Sequence, residues 1–91
     1  MIYLTEVTKD WVVQGGWLIA PAGVPWIKEG HRIQVGEYSD IGEDVHIGDR
    51  VDIGDGVHIG DQVDIRHGVH IGDGVHISDG VSISSLANIV C

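Results

Sequence analysis

The chain has one cysteine, no phenylalanine, two prolines and five basic residues among its 91 positions. A lone cysteine, Cys91, excludes an internal disulfide framework and a CxxC metal knuckle. Without Phe, and with aromatic residues at 5%, there is little material for a conventional large core. The five Lys+Arg stand against 14 Asp+Glu, a formal charge of −9. That sign argues against nucleic acid as a partner, because phosphate binding needs a basic footprint, and against anionic membrane surfaces. No apolar run approaches the ~18 residues of a spanning helix, so no transmembrane segment is expected. Met1 to Asp10 carries Glu6 and Asp10 and lacks a basic stretch followed by an apolar core, so no signal peptide is expected. One small domain is the expectation at this length.

What is present is unevenly spread. Residues 1–31 hold all three tryptophans (Trp11, Trp17, Trp26), both lysines and both prolines (Pro21, Pro25). Residues 32–91 carry three arginines and eleven acids. From Ile41 the chain reads IGEDVH, IGDRVD, IGDGVH, IGDQVD, IRHGVH, IGDGVH, ISDGVS and ISSLAN, eight consecutive hexads without an insertion. Ile stands first in all eight, at 41, 47, 53, 59, 65, 71, 77 and 83, and Val stands fifth in seven. VGEYSD, from Val35 to Asp40, is a weaker ninth copy.

Within each hexad, Val–His/Asp–Ile alternates apolar, polar and apolar, the period of a strand. Val and Ile then face one side and the residue between them faces the other. The remaining three, most often Gly-Asp-Gly, are turn chemistry, since Gly tolerates positive φ and Asp bonds its own backbone. Corners this short and this regular do not make hairpins. The chain is expected to coil, stacking strand on strand in parallel.

The run from 35 to 88 resembles the hexapeptide-repeat proteins, whose fold is the left-handed parallel β-helix. The resemblance implies three hexads per triangular coil of 18 residues, with the first and fifth positions inward. It implies about three coils, which at the ~4.8 Å spacing of neighbouring strands stand about 15 Å tall. The expected fold is therefore all-β, with residues 35–91 as the β-helix and residues 1–34 as a Trp-rich β/loop N-terminal cap or docking segment. Both ends of so short a prism leave strand edges that need covering. Association is the remedy, members of the family are usually homotrimers with parallel axes, and a homotrimer is expected here.

In residues 1–34, strands are expected around Ile2–Val7, Trp11–Val13 and Trp17–Ala20, with a turn at Gly15-Gly16 and an extended loop through Pro21, Gly23 and Pro25. Trp11, Trp17 and Trp26 are candidate partner-binding residues, because one Trp supplies a large buried area at an interface. The alternative is that they only close the first coil and the trimer. At the other end the copies decay after His76, with Ser at 78 and 84 and Leu at 86. That end is closed either by the trimer or by a docked partner.

Folded at 18 per coil, the outward strand positions form three columns: Asp40, His58 and His76; His46, Asp64 and Ser82; Asp52, His70 and Asn88. His58 and His76 would be neighbours about 5 Å apart. In a trimer with that face inward, six imidazoles would surround the axis and could hold zinc or another divalent metal. The other reading is a set of half-solvated polar residues pairing with Asp along the ladder. At the corners Glu43, Asp61 and Asp79 stack, as do Asp55 and Asp73. Carboxylates ~5 Å apart in water repel by a little under ~1 kcal/mol, which solvation tolerates, and a bridging calcium is the alternative.

The resemblance also implies two enzyme readings. Hexapeptide acyltransferases use a histidine as general base near a subunit interface, and carbonic anhydrases of this fold hold zinc with histidines from two chains. No loop interrupts residues 41–88 to wall off a substrate cleft, and the histidine spacings follow the repeat frame, so no catalytic residue is carried over. The reading is a non-catalytic homotrimeric assembly protein without a cofactor. It would dock on a larger protein assembly through its Trp-rich segment, as a virion decoration or spike component does, with the virion or the cytoplasm as its setting. A small metalloenzyme or acyltransferase using interface histidines is the competitor, and a designed or excised repeat scaffold is the third reading.

Overall fold

The structure, a computed structural model, describes residues 2–89. In chain order its elements are β1 (Ile2–Tyr3), a single helical turn α1 (Leu4–Thr8), β2 (Val12–Gln14), β3 (Trp17–Ile19), β4 (Arg32–Val35), β5 (Asp40–Ile41), β6 (His46–Ile47), β7 (Val51–Ile53), β8 (His58–Ile59), β9 (Asp64–Ile65), β10 (His70–Ile71), β11 (His76–Ile77), β12 (Ser82–Ile83) and β13 (Asn88–Ile89). The class is all-β apart from that one helical turn. From Ile33 onward each strand lies parallel to the strand 18 residues later: Ile33 beside Val51, Asp40 beside His58, His46 beside Asp64. The result is a parallel β-solenoid of about three turns with three sheets. One runs β5-β8-β11, one β4-β7-β10-β13 and one β6-β9-β12.

The hexad explains the core directly. Position one and position five point inward, and Ile41, Val45, Val51, Ile53, Val57, Val63, Ile65, Val69 and Ile71 are each at most 1% exposed. Burial loosens in the last turn, where Val75, Ile77 and Ile83 are 6%, 9% and 7% exposed. In the first turn Ser39 takes the valine position and is buried, its hydroxyl donating to the Gly36 carbonyl at 2.8 Å.

The corners depart from the sequence expectation. The aspartates do not serve their own turn; each accepts from the turn before it. Oδ1 of Asp55, Asp61, Asp73 and Asp79 accepts the backbone N–H of Glu37, Glu43, Asp55 and Asp61, at 2.8–2.9 Å. Asp49 does the same for the N–H of Arg32 at 2.8 Å. The stacked carboxylates thus anchor consecutive turns, each one neutralising a polar group that the turn geometry leaves open.

The two glycines of Gly-Asp-Gly have different causes. The one after the aspartate adopts positive φ: Gly56 has φ 66° with open space around it. The one before it provides room. A Cβ on Gly60 would press on the Asp79 carboxylate and lie 2.8 Å from the Asp79 backbone nitrogen. Where Arg66 takes that position, the residue beneath the corner is Ser85, which has no carboxylate. The N–H···O bond from Arg66 to Ile83 is 3.2 Å, against 2.8 Å from Gly60 to Ile77. Ser78 and Ser84 stand at the same position in the last described turn.

Residues 2–35 pair with all three sheets at the first turn. β1 runs antiparallel to β5, β3 antiparallel to β4 with β2 outside it, and Ile27 bridges in parallel to Ile47. The Gly15-Gly16 turn is present, with φ of 61° and 85°. The expected strand Ile2–Val7 is not: the strand ends at Tyr3 and one helical turn follows. Leu4 and Thr8, four apart, are 0% and 2% exposed, and the Thr8 hydroxyl donates to the Leu4 carbonyl at 2.7 Å. That spacing buries both on one side of a helical turn and turns Thr5, Glu6 and Val7 to solvent.

Gly60→Ala is expected to cost about 1–3 kcal/mol through overpacking. The double variant Gly60→Ala/Asp79→Ala is expected to cost less than the sum of the two singles by at least about 0.5 kcal/mol. Urea unfolding of the four proteins measures this, and additive costs would show that glycine and carboxylate are independent.

Candidate functional site

Two features of the repeat and its N-terminal extension carry the candidate residues. The first is the aromatic content of residues 2–38. Trp11 and Trp26 stack with ring centroids 5.4 Å apart and 17° between planes. Trp26 is 5% exposed, belongs to the buried cluster with Ile27 and Ile47, and its carbonyl accepts the Ile47 N–H at 2.9 Å. Trp17 lies half-buried in β3 opposite Gln14. The three tryptophans expected as a partner patch do not form one exposed surface. Trp26 is packed into the buried cluster and Trp11 stacks against it.

Other side chains are exposed instead. Among the described residues, the large hydrophobics open to solvent are Tyr3, Val7, Val12, Val13 and Tyr38, together with Leu86 in the last turn. Tyr3 and Tyr38 are 54% and 77% exposed and share a depression of about 460 Å³ with Thr5, Glu6 and Glu37. These are the only two tyrosines of the chain. They lie 35 residues apart, and the antiparallel pairing of Tyr3 with Asp40 brings them together. The one sequence signal was that Tyr38 occupies a corner position, whose side chain points away from the core.

The second feature is the histidine column. Asp40, His58 and His76 lie side by side on consecutive strands, as the 18-residue count predicts. The His58 and His76 rings meet edge to face with centroids 4.7 Å apart. His58 Nδ1 lies 2.9 Å from Asp40 Oδ2, and the Asp40 side chain is 2% exposed while that of His58 is 47%. The buried carboxylate thus fixes the imidazole's orientation, while Asp40 Oδ1 is buried with no hydrogen-bond partner among the described residues. His70 and Asp52 repeat the pairing at 2.9 Å in the next column. No group of three or more His, Cys, Asp or Glu among the described residues is arranged to hold a metal ion.

The sequence model described as bacterial transferase hexapeptide (six repeats) matches residues 50–85. These repeats are hexapeptide repeats. The match covers 36 of the 91 residues, and the three-turn solenoid is consistent with a hexapeptide-repeat family; a fold of this kind does not by itself fix an activity. Neither the curated proteins nor the solved structures compared with the chain gave a match.

Trp26→Ala is expected to cost about 3–5 kcal/mol, because it opens a cavity beneath Trp11. Trp17→Ala, at a half-buried position, should cost clearly less. Chemical denaturation of the two variants checks the order; equal costs would remove Trp26 from the core it is assigned to.

Proposed function

We propose that this hexapeptide-repeat protein is a non-catalytic structural component, a homotrimer of left-handed β-helical prisms whose N-terminal segment caps the prism and docks on a larger protein assembly. Decoration or a spike of a virion is the setting this reading favours. One observation carries it. Of the six exposed large hydrophobics among the described residues, five (Tyr3, Val7, Val12, Val13 and Tyr38) lie in the first 38 positions. Apolar surface gathered at one end of an otherwise polar exterior marks an interaction face.

Two parts of that face have different roles. β2 is the outer strand of its sheet, with Val12 and Val13 65% and 62% exposed. An edge of this kind is covered by pairing or packing against another chain, which suits closure of the trimer. Tyr3 and Tyr38, with Glu6 and Glu37 beside them, form the docking surface. Tyrosine serves there because its apolar ring and polar tip are stable in water and in contact.

Native mass spectrometry at neutral pH is expected to show a trimer. Val12→Lys/Val13→Lys is expected to shift it to monomer with the circular-dichroism spectrum retained. Tyr3→Ser/Tyr38→Ser should leave the trimer intact and abolish co-sedimentation with the purified assembly of the source organism. A monomeric parent protein would overturn the architecture; undiminished co-sedimentation of the tyrosine variant would overturn the docking face.

The second reading, a miniature metalloenzyme, is favoured by the Asp40–His58 contact, since a carboxylate that orients an imidazole is the usual support of a metal-binding histidine. On that reading the trimer carries a stoichiometric divalent metal, and His76→Asn removes it without unfolding the solenoid. A bare trimer in native mass spectrometry after incubation with zinc excludes it.

A further inference from the structure

We propose that the groove between the loop 20–31 and the face of β6 and β9 binds a small phosphate ester. The groove has a volume of about 490 Å³ and is lined by Trp26, Lys28, His31, His46, Asp64 and Arg66 among others. In a chain of formal charge −9 with five Lys+Arg, this one groove gathers two of those cations and two imidazoles against a single carboxylate. Neither Lys28 nor Arg66 is in an ion pair among the described residues.

The wall that carries Lys28 and His31 is tied down at both ends. The N–H of Ile47 donates to Trp26, Ile27 bridges Ile47, and the N–H of Ala20 donates to the His31 carbonyl at 2.8 Å. His31 also donates its own N–H to the Lys28 carbonyl at 3.1 Å. His31 Nδ1 is buried and has no hydrogen-bond partner among the described residues. An unpaired buried ring nitrogen on a residue that lines the groove calls for a polar partner.

The opposite wall is distinguished by the order of its column. In the other two columns an aspartate lies one turn before a histidine, and the two meet at 2.9 Å. Here the order is reversed, His46 before Asp64, and no ion pair joins them among the described residues. Both groups are therefore available to a ligand. Lys28 and Arg66 supply the charge a phosphate needs, and the imidazoles supply N–H donors. Asp64 accepts from a hydroxyl, which places the ester's organic part beside it and disfavours bare phosphate. The inference is independent of the docking face, which shares none of these residues.

Calorimetric titration of the full-length protein at low ionic strength, with inorganic phosphate and with glycerol 3-phosphate as probes, tests it. Both are expected to bind saturably at one per chain, the ester more tightly. Lys28→Gln and Arg66→Gln should each weaken the ester at least about tenfold, while Arg50→Gln, a corner arginine outside the groove, leaves it unchanged. Asp64→Asn should tighten inorganic phosphate and reduce the preference for the ester, a gain that misfolding cannot produce. Absence of saturable binding, equal weakening by Arg50→Gln, or an unchanged preference in Asp64→Asn would each overturn the proposal.

Discussion

Each turn of this solenoid hangs on a carboxylate that reaches back to the turn before it. The short strands are joined turn to turn by backbone bonds such as Asp40 N–H to the Val57 carbonyl and Gly42 N–H to the Ile59 carbonyl, and the corner carboxylate adds an inter-turn bond that a side chain supplies. An Asp Oδ1 takes a backbone N–H one turn earlier at 2.8–2.9 Å, and the glycine beside that N–H leaves the space through which it passes. Part of the acidic composition follows from this. Five of the 14 acids, Asp49, Asp55, Asp61, Asp73 and Asp79, serve as short acceptors at corners, and that part of the net charge is a by-product of the architecture. Like charges stacked at turn spacing repel weakly in water, while each carboxylate gains a charge-assisted bond to an otherwise open N–H.

The same constraint accounts for which parts of the molecule were legible in the sequence. The inward rows of Ile and Val follow from counting the hexads, and the columns and the number of turns follow from the 18-residue coil that the family resemblance implies. The role of the corner aspartates was not legible, because a side chain that serves the preceding turn looks identical in sequence to one that serves its own. Gly60 and Gly56 are likewise the same letter for different reasons, one spatial and one conformational. The loss of glycine at Arg66 makes sense only when Ser85 is seen beneath it.

Outside the repeat, legibility fell with the loss of periodicity. The alternation of Ile2 to Val7 suggested a strand, and tertiary packing of Leu4 with Thr8 made a helical turn of its second half. The tryptophans were the conspicuous residues, and none of them is exposed: Trp26 is buried in the core, while Trp11, stacked on it, and Trp17 are half-buried. Tyr3 and Tyr38, inconspicuous and 35 positions apart, are the exposed aromatics. Nothing in a linear reading joins them, since their proximity depends on β1 running antiparallel along β5. The histidines were read correctly as columns, but which of them bond an aspartate depends on chain direction. Asp40 before His58 makes the contact; His46 before Asp64 does not.

That directionality sets the unit by which such a chain can grow or shrink. The interior is indifferent to the count, since every hexad offers it the same isoleucine and nearly the same valine. The outer faces are not. Loss of residues 41–46 would leave the core filled and rotate everything downstream by one face, placing Asp64 beneath Asp40 where His58 now lies. Loss of residues 41–58 would instead bring His76 beneath Asp40 and preserve the column. The core counts in sixes and the surface counts in eighteens, so whole turns are the only currency in which this molecule can change length and keep its faces.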